Sequence, residues 1–244
     1  MNNNQNCLIS IITINYNNSK GLESTIHSVI NQTYKNIEFI IIDGGSKDGS
    51  LGIIKKYQDN LSYWVSEADN GVFNAMNKGI KLATGDWVIF MNSGDIFSCD
   101  ISSIFHDGFI DDDNLAIIYG DNIFRDKVNK ALSLEPISFG HIMACHQSMF
   151  FKNEPRFTII YSEKFKYYSE YELVARLYIQ NYDFLYVPLT ISTYEDGGIS
   201  STLTWGARIP KYFWIFKYFG IKGVFKSICN KIGIIKLDKY RFVQ

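Results

Sequence analysis

Apolar and polar positions come in blocks along the first hundred residues, and the period changes from block to block. Residues 8–14 are a short β-branched run, the pattern of a strand buried on both faces. Over residues 22–30 the apolar side chains Leu22, Ile26, Val29 and Ile30 recur at helical spacing. Residues 39–42 are a second buried strand that stops at Asp43, and the small or polar Gly44, Gly45 and Ser46 follow. A helix carrying Leu51, Ile53, Ile54 and Tyr57 comes next, then a strand at 63–65 and a helix at 72–83. A fourth strand, residues 87–91, ends at Asn92, Ser93, Gly94 and Asp95. Strands that alternate with helices predict an α/β fold, a mostly parallel sheet with helices on both faces.

In such sheets ligands bind at the carboxyl ends of the strands. Here those ends carry Asn15, Tyr16 and Asn17, then Asp43, then residues 67–69, then residues 92–95. Turns and helix caps use the same residue types. Polar endings that recur at every strand on one edge predict a site.

After residue 100 the pattern loosens. Residues 117–130 suggest strands and a hairpin, 170–180 a helix with Leu173, Val174 and Leu177 on one side, and 184–187 a strand before Pro188. The acidic run Asp111, Asp112, Asp113 is read as a solvated loop. His141, Cys145 and His146 match no standard zinc spacing, and His146 is expected at a strand end near the bound ligand.

Composition narrows the class. With 244 residues, 46% hydrophobic and only 4 prolines, the chain is long enough for a real core and is neither disordered nor a repeat array. Its 4 cysteines are too scattered for a disulfide framework. The start, MNNNQNCLIS, lacks the features of a signal peptide, and a run of 18 apolar residues occurs nowhere, so a cytoplasmic protein is expected. A net charge of −1 conceals an asymmetry: residues 205–244 hold nine basic side chains and one acid, while residues 1–204 hold 15 and 24. The acidic body argues against nucleic acid as a partner. The division predicts a main domain at 1–204 and a short, helical, basic and aromatic extension at 205–244.

Two stretches carry a resemblance. SIITINYNNSKGLESTIHSVINQTYKNIEFIIIDGGSKDGS (residues 10–50) and EADNGVFNAMNKGIKLATGDWVIFMNSGD (residues 67–95) resemble the opening of the family 2 glycosyltransferases, inverting enzymes of the GT-A fold. The elements NYN, NQTY, DGGSKDGS, NKG and NSGD follow in the family's order. Residues 169–200 resemble the family more weakly. The resemblance implies a nucleotide-sugar-binding half at 1–100 and an acceptor-binding half at 101–204.

It also implies roles. Asp43 would accept from the imide N–H of uracil, which points to a UDP-sugar, or would organise the turn after it. Tyr16 would pack on the base with Asn15 and Asn17 shaping the loop, and Asp69 would lie near the nucleotide and donor sugar or cap a helix. The family's D-x-D-like metal motif falls on Asn92, Ser93, Gly94 and Asp95, where one carboxylate remains. Asp95 is therefore the expected ligand of Mg²⁺ or Mn²⁺. The general base falls on Glu170, with Glu172 as rival; on a helix the two point about 200° apart, so only one faces the site. The loop 196–200 resembles one that closes over donor or acceptor.

The implied activity is sugar transfer from a nucleotide-sugar to a glycan or polyprenyl-diphosphate-linked saccharide in bacterial polysaccharide assembly. Rival readings are a sugar nucleotidyltransferase, whose Gly-rich basic first loop NYNNSK does not supply, and a nucleotide-sugar-binding protein without activity. In the extension, a continuous helix would gather Arg208, Lys211, Lys222 and Lys226 within an arc of about 60°, opposite Lys217. Such a helix either packs its aromatic face on the body or lies on the cytoplasmic membrane surface as a peripheral anchor.

Overall fold

The computed structural model describes residues 7–106, 112–164, 167–194 and 209–242. Strands β1 (Ile9–Asn15), β2 (Ile37–Asp43), β3 (Tyr63–Ser66) and β4 (Trp87–Phe90) lie in the order β3-β2-β1-β4, all parallel. The crossovers are helices α1 (Ser19–Ile30), α2 (Ser50–Lys56) and α3 (Val72–Leu82). Parallel neighbours need such crossovers.

Beyond β4 the pairing changes. The edge strand β5 is Ile96–Phe97, β6 is Leu115–Phe124, and β7 (Lys127–Asn129) folds back on β6 as a hairpin. Strand β8 (Met149–Lys152) runs antiparallel to both β4 and β6. Only β9 (Asp183–Thr193) is parallel to β6, and helix α4 (Ser169–Ile179) lies between the two in sequence. The α/β fold is therefore a mixed sheet whose parallel part is its first half. No α-helix separates β6 from β8, so that segment can return only antiparallel. Strand β9 also runs through Pro188, which the sequence pattern placed after its end. The register slips there, from Tyr119↔Tyr186 to Asp121↔Thr190, and a bulge accommodates a residue with no N–H to donate.

Alternation along the central strands builds a core on each face. Ile9, Ile11, Phe39, Ile41, Trp87 and Ile89 point to the α1 side, where Leu22, Ile26 and Val29 meet them. Ile12, Ile40, Ile42, Val88 and Phe90 point to the other side, against Phe73 and Met76 of α3 and Leu173, Val174 and Leu177 of α4. Period-2 strands and 3.6-period helices thus match, which is why the first half was legible from the pattern.

The second core includes Trp214 and Ile215 of α5 (Ile209–Lys231). This helix packs on α4 and on the 3₁₀ turn Glu135–Phe139, so the extension is joined to the body rather than appended to it. It is also not one straight rod. Gly220 leaves helical geometry (φ 63°, ψ −161°), a conformation open to glycine and costly for other residues, and the helix kinks there. The continuous basic arc expected from the sequence is broken as a result. Arg208, the loop 196–200 and Asp111 lie outside the described residues.

If α5 is part of the core, Trp214→Ala should lower unfolding stability by about 3–5 kcal/mol. Phe216→Ala, on the exposed side of the same turn, should change it by about 0.5 kcal/mol or less. Urea unfolding of both variants checks this; equal small losses would detach the helix from the fold.

Candidate active site

The strand ends of the parallel half and the start of α4 face one cleft of about 1130 Å³, a size that suits a large ligand. Asn15, Tyr16, Asp69, Asn92, Ser93 and Glu170 line it. Asn17, Asp43, Gly94, Asp95 and Glu172 stand behind the wall or away from it.

Asp43 is the centre of that supporting layer. It is fully buried at the end of β2 and accepts five hydrogen bonds. Asn15 Nδ2 and the Ser46 hydroxyl reach one oxygen, each at 2.6 Å. The Ser66 hydroxyl (2.6 Å) and the N–H groups of Gly45 and Ser46 (3.2 and 3.0 Å) reach the other. Burial pushes the carboxyl's pKa up, but the bonds from Ser46, Ser66 and Asn15 outweigh it and hold the group below the ordinary aspartate range. Both oxygens are engaged by protein donors, so Asp43 organises the turn after β2 and shapes the wall that a base would meet.

Asn17 also acts on the backbone. It sits at φ 51°, donates its N–H to Ser46 Oγ (2.8 Å) and accepts the Lys47 N–H through Oδ1 (2.8 Å). This leaves Tyr16, 69% exposed, presented at the mouth of the cleft beside Gly44. Asp69 accepts the Gly71 N–H at 2.8 Å, which fixes the entry to α3 with the carboxylate on the cleft wall.

The end of β4 is tied to the start of α1. Ser93 Oγ donates to the Asn18 carbonyl, while Asn18 Nδ2 donates to the Ser93 carbonyl, both at 3.0 Å. Gly94, at φ 102°, donates to Thr25 Oγ1. Asp95 is buried and its Oδ2 accepts from Gln147 Nε2 at 2.7 Å. Among the described residues no group of three His, Cys, Asp or Glu forms a metal cage. The buried Oδ1 of Asn92 has no hydrogen-bond partner. Asp95 stands behind the wall with one oxygen engaged by Gln147, so an ion at this strand end would draw most of its ligands from phosphates and water, not from a site enclosed by protein.

Helix α4 separates the two candidate bases as its period requires. Glu170 lines the cleft floor, crowded by protein, and burial raises its carboxyl above the ordinary glutamate range against the pull of its own N–H. Glu172 turns into the core, where Tyr218 donates to its Oε1 at 2.5 Å and Arg176 Nε lies 3.4 Å away. Its place is between α4 and α5, not in the cleft.

Several lining residues were not foreseen. Asn18 lies one position past the NYN element, and Gln147 follows the expected His146. His146 itself is a core residue: it stacks on Phe90 (5.0 Å between centroids), bonds the Tyr161 hydroxyl at 2.5 Å, and burial lowers its pKa to about 3. His141 lines the cleft instead, with burial and the Lys211 charge lowering its pKa to about 4. Lys211 reaches the same cleft from α5, passing over Gly140, where a Cβ would lie 2.3 Å from its Cε. Tyr167 and Tyr168 flank Glu170, and Tyr168 takes the left-handed conformation (φ 67°) that starts α4. No local pattern marks these residues, since distant segments bring them to the cleft.

The fold is that of the GT-A glycosyltransferases. Two solved structures share it: TarS of S. aureus (residues 1–349, with UDP-GlcNAc) at TM-score 0.71, and the mannosyltransferase PcManGT of Pyrobaculum calidifontis (with GDP-Man and Mn²⁺) at 0.63. Identities are 15% and 12%, with 95% and 96% of this chain covered and 77% of each other chain. Residues 10–130 match glycosyl transferase family 2 and form a domain of that family. An uncharacterized glycosyltransferase of Mycobacterium tuberculosis is 44% identical over 91 residues, 37% of this chain. The chain thus matches only 35% of the length of that relative. A PGL/p-HBAD biosynthesis glycosyltransferase of Mycobacterium bovis is 27% identical over 207 residues, 80% of either chain.

Asp43→Asn replaces an acceptor with a donor opposite several donors, so stability at pH 7 should fall by about 2–4 kcal/mol. The carboxylate's contribution is present above the ordinary aspartate pKa and lost as pH falls through its lower folded value. The gap between parent and variant should therefore narrow as pH is lowered toward about 3. Denaturant titrations at several pH values check this; a gap constant with pH would mean that charge is not what Asp43 supplies.

Proposed function

We propose that this protein transfers a glycosyl unit from a nucleotide-sugar to a hydroxyl with inversion at the anomeric carbon, and that Glu170 is the general base. The observation that carries the reading is the Glu170 carboxylate at the start of α4, on the cleft that the strand-end residues Asn15, Asp69, Asn92 and Ser93 also line, with its pKa raised by burial. The donor lies along the strand ends of the first half, residues 1–100. The acceptor enters from the α4 side, within residues 101–204.

In the transfer, the acceptor hydroxyl oxygen bonds to the anomeric carbon as the bond from that carbon to the diphosphate oxygen breaks. The hydroxyl proton passes to Glu170, and a nucleoside diphosphate leaves. A raised pKa makes Glu170 a better proton acceptor near neutral pH than an ordinary glutamate. Asp95 and the Asn92 amide oxygen would hold Mg²⁺ or Mn²⁺, which neutralises charge on the leaving diphosphate when bound. Lys211 adds a protein cation to the same cleft. UDP is the nucleotide of choice through the resemblance rather than through Asp43. The acceptor is a glycan or a polyprenyl-diphosphate-linked saccharide, the setting implied by bacterial polysaccharide assembly. The first loop, Asn15 to Asn18, carries no glycine to cradle a triphosphate, which weighs against a nucleotidyltransferase.

Release of nucleoside diphosphate from a panel of nucleotide-sugars, with and without Mn²⁺, tests the reading. Glu170→Gln should keep donor binding while turnover falls about 100-fold or more. The acid limb of the parent's rate profile should lie above that of an ordinary glutamate. Donor binding with no release under any condition would leave a nucleotide-sugar-binding protein.

A separate assay addresses the ion: Asp95→Asn or a chelator should each lower turnover by about 100-fold. Full activity in both would remove Asp95 from the role of ligand.

A further inference from the structure

We infer that the outer face of α5 is a docking surface for an anionic phospholipid membrane. The inner side of the helix is packed: Pro210, Trp214, Ile215, Gly223, Ser227 and Cys229 are buried. The opposite side carries an apolar stripe in each half of the kinked helix. Ile209, Phe213 and Phe216 form the first, and Ile221, Phe225 and Ile228 repeat the same spacing twelve residues on. All six are 45–76% exposed. In an unbroken helix a twelve-residue offset turns the second stripe by about 120° from the first. The break at Gly220 lets both halves pack on the body through their small or apolar inner sides while both stripes stay in solvent.

Charge selects the occupant. Helix α5 contains five lysines, at 211, 217, 222, 226 and 231, and no acid. Lys217, Lys222 and Lys231 are exposed beside the stripes. A second copy docked face to face would oppose lysines to lysines with no carboxylate on either helix to meet them. An anionic headgroup layer satisfies both features, taking the phenylalanines and isoleucines into its acyl boundary and the ammonium groups onto phosphates. The helix lies on the surface and does not cross it, since no described helix is long and apolar enough to span a bilayer. Lys211 on the same helix lines the cleft, so docking sets the cleft about one helix diameter, ~10 Å, from the lipid. This inference does not depend on the transferase reading, because the surface binds lipid whether or not the cleft is active.

Co-sedimentation of the full chain with vesicles tests it. The protein should pellet with phosphatidylcholine–phosphatidylglycerol vesicles at low salt and bind pure phosphatidylcholine at least about tenfold more weakly. High salt should weaken the binding. The variants F216S/F225S and K222E change exposed side chains only, so both should keep the parent's melting temperature and lose vesicle affinity about tenfold or more. Deleting the extension is a poorer test, because Trp214 and Ile215 belong to the core. Equal vesicle binding by parent and variants, or none by the parent, would overturn the proposal. So would a dimer in sedimentation velocity that F216S/F225S dissolves, which would assign the face to a second copy.

Discussion

One buried carboxylate, that of Asp43, holds the ends of three strands in a fixed relation. It takes a side-chain donor from β1 (Asn15), another from β3 (Ser66), and two backbone donors and a hydroxyl from the turn that leaves β2. Buried polar groups must find partners, and here each partner finds its own in the same anion. Parallel strands start in register through backbone bonds alone, but their ends would fray into separate loops. The Asp43 network converts three loops into one wall. Tyr16 and Asp69 owe their positions on the cleft to it, through the turns next to it.

A second set of tertiary contacts fixes the opposite wall. Tyr171 donates to the Ile137 carbonyl at 2.7 Å, and Glu172 is held by Tyr218 and Arg176. Neighbouring positions on α4 are thus spent on fixing the helix, and the residue before them, Glu170, is aimed into the cleft. The carboxylate that binds Tyr218 acts at a distance: by holding α4 in its rotation it leaves Glu170, not Glu172, on the cleft. A similar division of labour occurs at Asp121, where Lys130, the Ala131 N–H and the Tyr186 hydroxyl join β6, the segment after β7, and β9.

Helix α5 links these walls to the surroundings. Its inner side completes the α4 core, one lysine enters the cleft, and its outer side is left apolar and basic. Such a helix cannot be understood as a tail with one job. The kink at Gly220 reconciles the packing of two half-helices on one body with the exposure of both stripes, where a straight helix would bury one of them.

The sequence by itself determined the first half of the fold and the polar edge, because there both depend on local patterns. Residues 9–43 and 87–90 alternate onto two cores, the helices between them carry matched apolar faces, and polar residues collect at the strand ends. The motifs in residues 10–95 named the family for the same reason, since their order follows the chain. What the sequence left open was settled by partners far away in the chain. Glu170 is the base the motif points to and Glu172 its rival at the same helix start, and Tyr218 on α5 together with Arg176 holds Glu172 away from the cleft. Asp43 reads in the sequence as a base contact or a turn organiser, and the donor it takes from Ser66, 23 residues later, is visible only in the fold. Lys211 and His141 carry no local signature at all. Periodicity reports which face of an element is buried, whereas the group a side chain meets on that face is fixed by how separate elements pack, and that is a property of the folded chain.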